Sequence, residues 1–393
     1  MTAQVEPVRL GLDRLAAEDC ARLRGLRVGL LCHAASVSSD LRHITHVFRD
    51  CGIQPVRCFG PEHGIWADVQ DMIPSADTRE PVTGAPVVSL YGAEEASLSP
   101  QAADLADLDV LVIDLQDVGS RYYTYCWTAA LAAWAAARVG VRSLVLDRPN
   151  PLGGLRREGG GVDPRYISFV GRWSVPTRHG RTIGELVQHV AAVEGFTEAV
   201  QVLPMTGWRR AMYHDATGLP WVQPSPNMPT LDTALVYPGL CLIEGTNLSE
   251  GRGTTRPFEL VGADFIDPFR WAEALAATPL EGIHFRPVFF RPMFHKFGGQ
   301  TIGGVALHVT DRDRFEPLRT GLHLLATCRR LFGAGLQWRA EVYEFVGDRL
   351  AIDLLFGGPE ARERIDGAGD VDALWRQWQA EAVQFGMPQS EYP

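Results

Sequence analysis

Six segments of this chain set acids, histidines, glutamines and arginines beside turn residues: HAASVSSD, GPEHGIW, YGAEE, DLQDVGSRYYTY, DRPNPLGG and EGTNLSEGRGT. Turn chemistry accounts for their Gly, Pro and Asn but not for the repeated charged and amide side chains. Glu62 is the first of these to suggest a reaction. It stands between Pro61 and His63-Gly64, directly after an apolar run. Burial disfavours the charged form of a carboxylic acid, and a general acid must keep its proton near neutral pH. The plainer reading makes Glu62 a helix cap or the partner of an arginine. Further carboxylates follow apolar runs at Asp114, Asp117 and Glu250. His33, His43 and His46 are close in sequence, but no acid or cysteine completes a ligand set, so no metal is expected.

Such side chains need a frame that aims them at one place. Short apolar runs alternate with amphipathic segments over the first two-thirds of the chain, the pattern of a parallel α/β sheet. Strands are expected at Arg27–Cys32, Pro55–Phe59, Val87–Leu90, Val110–Asp114 and Ser143–Asp147, and more weakly at Val200–Leu203 and Leu240–Ile243. Helices are expected at about Asp40–Asp50, Gln101–Ala106, Tyr122–Val139 and Thr182–Val193. Ligands of open α/β sheets bind outside the carboxyl ends of the strands, so the six segments would share one rim. Beyond Gly262 the alternation weakens. A helix in FIDPFRWAEALAATP, strands in IHFRPVFFRPMF and TIGGVALHVT, and helices at Asp313–Leu331 and Val371–Gln384 form a smaller α+β unit. The expectation is a Rossmann-like catalytic domain over 1–262 and a smaller domain over 263–393 that closes a cleft.

Composition narrows the partners. A formal net charge of -10 over 393 residues argues against nucleic acid or an anionic membrane, so an anionic ligand would need a local cluster of cations. Nearly all the cations are arginine, and Lys296 is the only lysine. The seven cysteines never form a C-x-x-C pair, which disfavours disulfides and zinc. The turn after the first strand, LLCHAASVSSD, contains no glycine, so the dinucleotide fingerprint is missing. G-x-S-x-G, H-E-x-x-H and a P-loop lysine are also absent. No cofactor is expected. The N-terminal MTAQVEPVRLGLDRL lacks a basic stretch followed by an apolar one, so a cytoplasmic location is expected unless the true start lies upstream.

With these segments in order, the chain resembles the NamZ-type exo-β-N-acetylmuramidases. The resemblance rests on FGPEHGIW, VIDLQDVGSRYYTYCWT, DRPNPLGG, RHGRTIGEL, GWRR, WVQPSPNMPT and YPGLCLIEGTNLSEGRGTTRPFE, and runs from about Leu26 to Gly386. It implies a Rossmann-like domain, a smaller C-terminal domain, and release of N-acetylmuramic acid (MurNAc) from the non-reducing end of peptidoglycan fragments in cell-wall turnover. Glycoside cleavage calls for an acid on the leaving oxygen and usually a second carboxylate. The resemblance favours Glu62 as the acid. Asp117 is narrowly preferred over Glu250 as the second carboxylate, and Asp114 is read as a tie between loops or a substrate contact. The acetamido oxygen of the substrate is a third route, with Asp117 orienting it.

MurNAc carries a lactyl carboxylate, which suits the fork of an arginine, and Arg121, Arg252 and Arg256 are the candidates. Tyr123 is chosen to stack on the sugar; His63, Asn150, Asn227 and Asn247 are candidates for its hydroxyls. The partner is thus a small amino sugar or muropeptide. Two other readings compete, a muropeptide-binding protein without turnover and a hexosaminidase for another amino sugar.

Overall fold

The computed structural model describes residues 7–70, 72–73, 78–386, 388 and 392–393. In chain order its regular elements begin with α1 (Gly11–Ala17), β1 (Val28–Cys32), α2 (Ile44–Asp50), β2 (Arg57–Gly60), β3 (Thr78–Arg79), β4 (Pro86–Ser89), α3 (Ala102–Leu105), β5 (Val110–Asp114) and α4 (Tyr125–Arg138). Then come β6 (Arg142–Leu146), α5 (Ile183–Glu194), β7 (Val200–Leu203), α6 (Leu231–Leu240), β8 (Leu260–Ala263), α7 (Pro268–Ala276), β9 (Ile283–Phe290) and β10 (Ile302–Val309). Helices α8 (Pro317–Phe332), α9 (Ala351–Phe356), α10 (Glu360–Asp366) and α11 (Val371–Gln384) finish the chain.

Seven strands make one sheet in the order β3-β4-β2-β1-β5-β6-β7, all parallel except the short β3. Every residue of β1 and β5 is buried, which is why both read as unbroken apolar runs. The direction of winding reverses between those two central strands, so the crevice at their carboxyl ends is the place where such sheets hold ligands. Here that crevice is filled from within. His33, just past β1, accepts the Gln116 N–H at Nε2 (2.9 Å) and faces the Pro224 carbonyl with Nδ1 (3.2 Å). Burial, then the nearby Arg148 charge, push its pKa down to about 3, so the ring is a neutral strut. The missing glycines and the occupied crevice are two faces of one fact. A side chain stands where a nucleotide phosphate would approach the backbone.

The second sheet, β8-β10-β9, is antiparallel. The boundary expected after residue 262 falls inside β8, whose partner is β10, so the smaller sheet begins before that residue. The strand expected at Leu240–Ile243 is instead the end of α6 and a 3-10 turn over Cys241–Gly245. A short apolar run buried on all sides has no period to separate strand from helix. Helix α6 crosses α8 at a contact that only glycine permits. A Cβ on Gly239 would lie 1.8 Å from the Pro317 carbonyl oxygen, and one on Gly321 would lie 2.3 Å from that of Gly239. This crossing sets the turn after α6 against the rim of the large sheet. All seven cysteines are free thiols. Among the described residues no helix is long and apolar enough to cross a membrane.

Candidate active site

Loops from both sheets meet around a half-open hollow. Its enclosed part is only about 40 Å³, room for a few waters, and about 500 Å³ is free when its mouth is counted. One wall comes from the loop after β2 and the start of α4. Glu62 lies there at 6% exposure. Its Oε2 accepts the Thr124 hydroxyl (2.7 Å), and its Oε1 accepts the Met72 backbone N–H at a long 3.4 Å. Among the described residues no cation pairs with it. His63 is placed beside it in a left-handed backbone conformation (φ 68°), with Nδ1 2.9 Å from the Val69 carbonyl.

The facing wall is ionic. Glu244, in the turn after α6, accepts from Arg252 Nη2 (2.5 Å) and from the Tyr343 hydroxyl (2.8 Å). Arg252 is also 3.3 Å from Glu250, which Lys296 Nζ (2.9 Å) and His295 Nδ1 (3.4 Å) approach from behind. Burial alone would push the Glu250 carboxyl up. The charges of Lys296, Arg252 and His295 outweigh it and hold the pKa at about 2. A third acid, Glu344, accepts from the Tyr91 hydroxyl (3.1 Å) in a turn where it and Phe345 both have positive φ, 47° and 69°.

Edge-on aromatic contacts join the two walls. Tyr125 meets Tyr123 (4.9 Å between centroids), Tyr123 meets Tyr237 (5.9 Å), Tyr237 meets Phe258 (4.8 Å), and Arg252 lies over Phe258 (4.9 Å). Burial holds the hydroxyls of Tyr123, Tyr125 and Tyr237 well above their ordinary pKa, so they are neutral groups.

Of the residues singled out from sequence, Glu62, His63, Tyr123, Asn227 and Arg252 line this hollow. The others are engaged elsewhere. Asp114 is locked to Arg148 (2.5 and 2.9 Å). Asp117 accepts the Gly119 N–H (2.7 Å) and lies 3.2 Å from His179, behind the wall. Glu250 sits in the ionic ladder one residue removed from the hollow. Arg121 spends its fork on the carbonyls of Gly160, Gly161, Val175, Leu355 and Phe356. Asn150 ties its own loop to Arg181, and a Cβ on Gly119 would lie 2.3 Å from its Oδ1. Asn247 bonds Gly335 and Gln337 around a different hollow, and Arg256 is 61% exposed beside Glu259.

These placements differ from the rim positions expected from sequence for a common reason. A buried polar group must be paired, and short-range pattern does not say with what. Glu244 and Glu344 also line the hollow and were not singled out from sequence. The available signal for Glu244 was an acid directly after an apolar run, the same signal that drew attention to Glu62. Among the described residues no cluster of histidine, cysteine and acid could hold a metal ion.

A parallel sheet whose carboxyl rim carries buried acids, capped by a second sheet that supplies more, has the layout of an α/β enzyme site. The sequence profiles of the exo-beta-N-acetylmuramidase NamZ family match this chain at residues 28–232 for the N-terminal part and 235–392 for the C-terminal part. The chain belongs to that family. It is 39% identical over 392 residues to the peptidoglycan beta-N-acetylmuramidase NamZ of Bacillus subtilis (strain 168), covering 100% of this chain and 92% of the relative. Two crystal structures of DUF1343 family proteins from Bacteroides fragilis NCTC 9343 share the fold. One has a TM-score of 0.85 at 30% identity over 97% of both chains. The other has 0.73 at 26% identity over 97% of this chain and 96% of its own.

Proposed function

We propose that this protein is a glycoside hydrolase that releases MurNAc from the non-reducing end of peptidoglycan fragments, with Glu62 as the general acid. The carrying observation is the contrast between its two acids in one hollow. Glu62 is buried among neutral donors with no ionic partner among the described residues. Glu244 has its negative charge met by Arg252. Both line one hollow, and glycoside cleavage usually employs a pair of carboxyl groups. Glu62 protonates the glycosidic oxygen as the bond to C1 breaks. Water adds through its oxygen to C1 and gives up a proton to Glu244, which takes the place of the Asp117 or Glu250 expected from sequence. Tyr123, Asn227 and His63 contact the sugar from the lining.

The test is release of MurNAc from MurNAc–GlcNAc and from a chromogenic MurNAc β-glycoside, beside the GlcNAc counterpart. Turnover of the muramic substrate is expected. Preference for the GlcNAc glycoside would replace this reading with a general hexosaminidase, and binding of MurNAc–GlcNAc without turnover would replace it with a sensor.

A further inference from the structure

The lactyl carboxylate of MurNAc needs a cation, and two are already paired with acids: Arg252, which lines the catalytic hollow, and Lys296, which lines a wider hollow beside it. Arg252 is shared between Glu244 and Glu250. The three protons of Lys296 go to the carbonyls of Ile243 (3.2 Å) and Leu248 (3.0 Å) and to Glu250 (2.9 Å). A ligand carboxylate brought to either would also meet the acids they already serve.

Arg339 differs. A guanidinium offers five N–H donors, yet its polar side-chain contacts among the described residues are all long. Nη2 is 3.5 Å from the Val342 carbonyl and 3.8 Å from the Met72 sulfur, and Nε is 3.9 Å from Glu341. Glu341 is 80% exposed, where such a pairing holds weakly. The guanidinium is nonetheless fixed in place, lying 5.1 Å over the ring of Tyr343 and touching Met72, two side chains that line the catalytic hollow. Its other side lines a second, wider hollow of about 430 Å³ with Asn247, Gln337 and Trp338. Arg339 thus lies behind Tyr343 and Met72 of the narrow hollow and opens onto the roomy one, whose acid among the described lining residues is the exposed Glu341.

We infer that Arg339 is the specificity-determining residue for muramic acid. It takes the lactyl carboxylate of the sugar in the mouth, and the wider hollow houses the lactyl arm with whatever extends it. The arrangement also keeps that anion away from Glu244 and Glu344. The inference rests on the hydrolase reading above.

The experiment compares a chromogenic MurNAc β-glycoside with its lactyl methyl ester, which keeps the shape and removes the charge. A charge-assisted bond to an arginine corresponds to about 10- to 100-fold in affinity. Arg339→Gln is expected to raise KM for the free acid by about that factor with kcat nearly unchanged. The ester should change by less than about threefold, and Arg339→Lys should recover part of the loss. An equal loss on acid and ester would show a merely structural arginine and overturn the assignment, as would an unchanged KM for the acid. Both outcomes presuppose an active parent. A parent inert on the muramic glycoside would instead overturn the hydrolase reading, and this assignment with it.

Discussion

The two walls of the hollow are made of the same functional group and treat it in opposite ways. On the side of the large sheet, Glu62 is surrounded by a hydroxyl, a backbone N–H and aromatic rings. On the other side, Glu244 is the last rung of a ladder that runs through Arg252 and Glu250 to Lys296 and His295. Taking an ion from water costs several kcal/mol unless its charge is met. The second wall meets that cost with alternating signs, and on the first no cation among the described residues pairs with Glu62.

The sharpest way to break the contrast is to remove the proton donor. Glu62→Gln keeps the shape and the Thr124 contact, and should lower kcat by about 10³, within the range typical of general acid catalysis. The melting temperature should move little. Near-normal turnover of a MurNAc–aryl glycoside would place the acid elsewhere.

Next in size is the foot of the ladder. Lys296→Met removes the nearest of three cations around the buried Glu250 and leaves Arg252 and His295, so a loss of about 1–3 kcal/mol of stability is expected. Thermal unfolding measures it. The same group gives a pH signature. The Glu250 pKa falls from an ordinary 4.5 to about 2 on folding, so its contribution is complete above about pH 4.5 and disappears as the pH drops towards 2. Glu250→Gln should flatten the acid limb of stability against pH across that window. A limb of unchanged slope would assign the proton uptake to other carboxylates.

Glu244→Gln tests the working end of the ladder. Rate should fall by about 10², the scale of losing a group that answers charge in the transition state. Loss of stability without loss of rate would make Glu244 a structural acid. The smallest effect is expected at Arg256, whose exposed pair with Glu259 lies away from the hollow. Arg256→Ala should leave kcat/KM within twofold and stability within about 0.5 kcal/mol. A marked rise in KM would return Arg256 to the substrate.

Much of the scaffold was legible because its signals are local. Val110–Asp114, Val200–Leu203 and Val371–Gln384 have the boundaries that pattern alone suggests. The T-x-x-E box of Thr182 and Glu185 starts α5 where expected. Glu62 was legible as well, since an acid within a few residues of a buried strand end is carried to the rim by the strand itself. The failures have a different character. Leu240–Ile243 is helical because Gly239 lets α6 press on α8, a contact about eighty residues away in the chain. Arg121 and Arg252 looked alike as rim arginines. One spends its fork on five backbone carbonyls and the other bridges two acids.

Sequence by itself determined the parallel sheet, the rim and the acid that β2 delivers to it. Those follow from apolar period and turn residues acting over a few positions. Tertiary structure alone decided which side chains share the hollow with Glu62 and which partners Arg121 and Arg252 take. Each is a question of who pairs with whom across long stretches of chain. Buried charges settle into whichever partners packing brings within about 3 Å, and no local pattern encodes that distance.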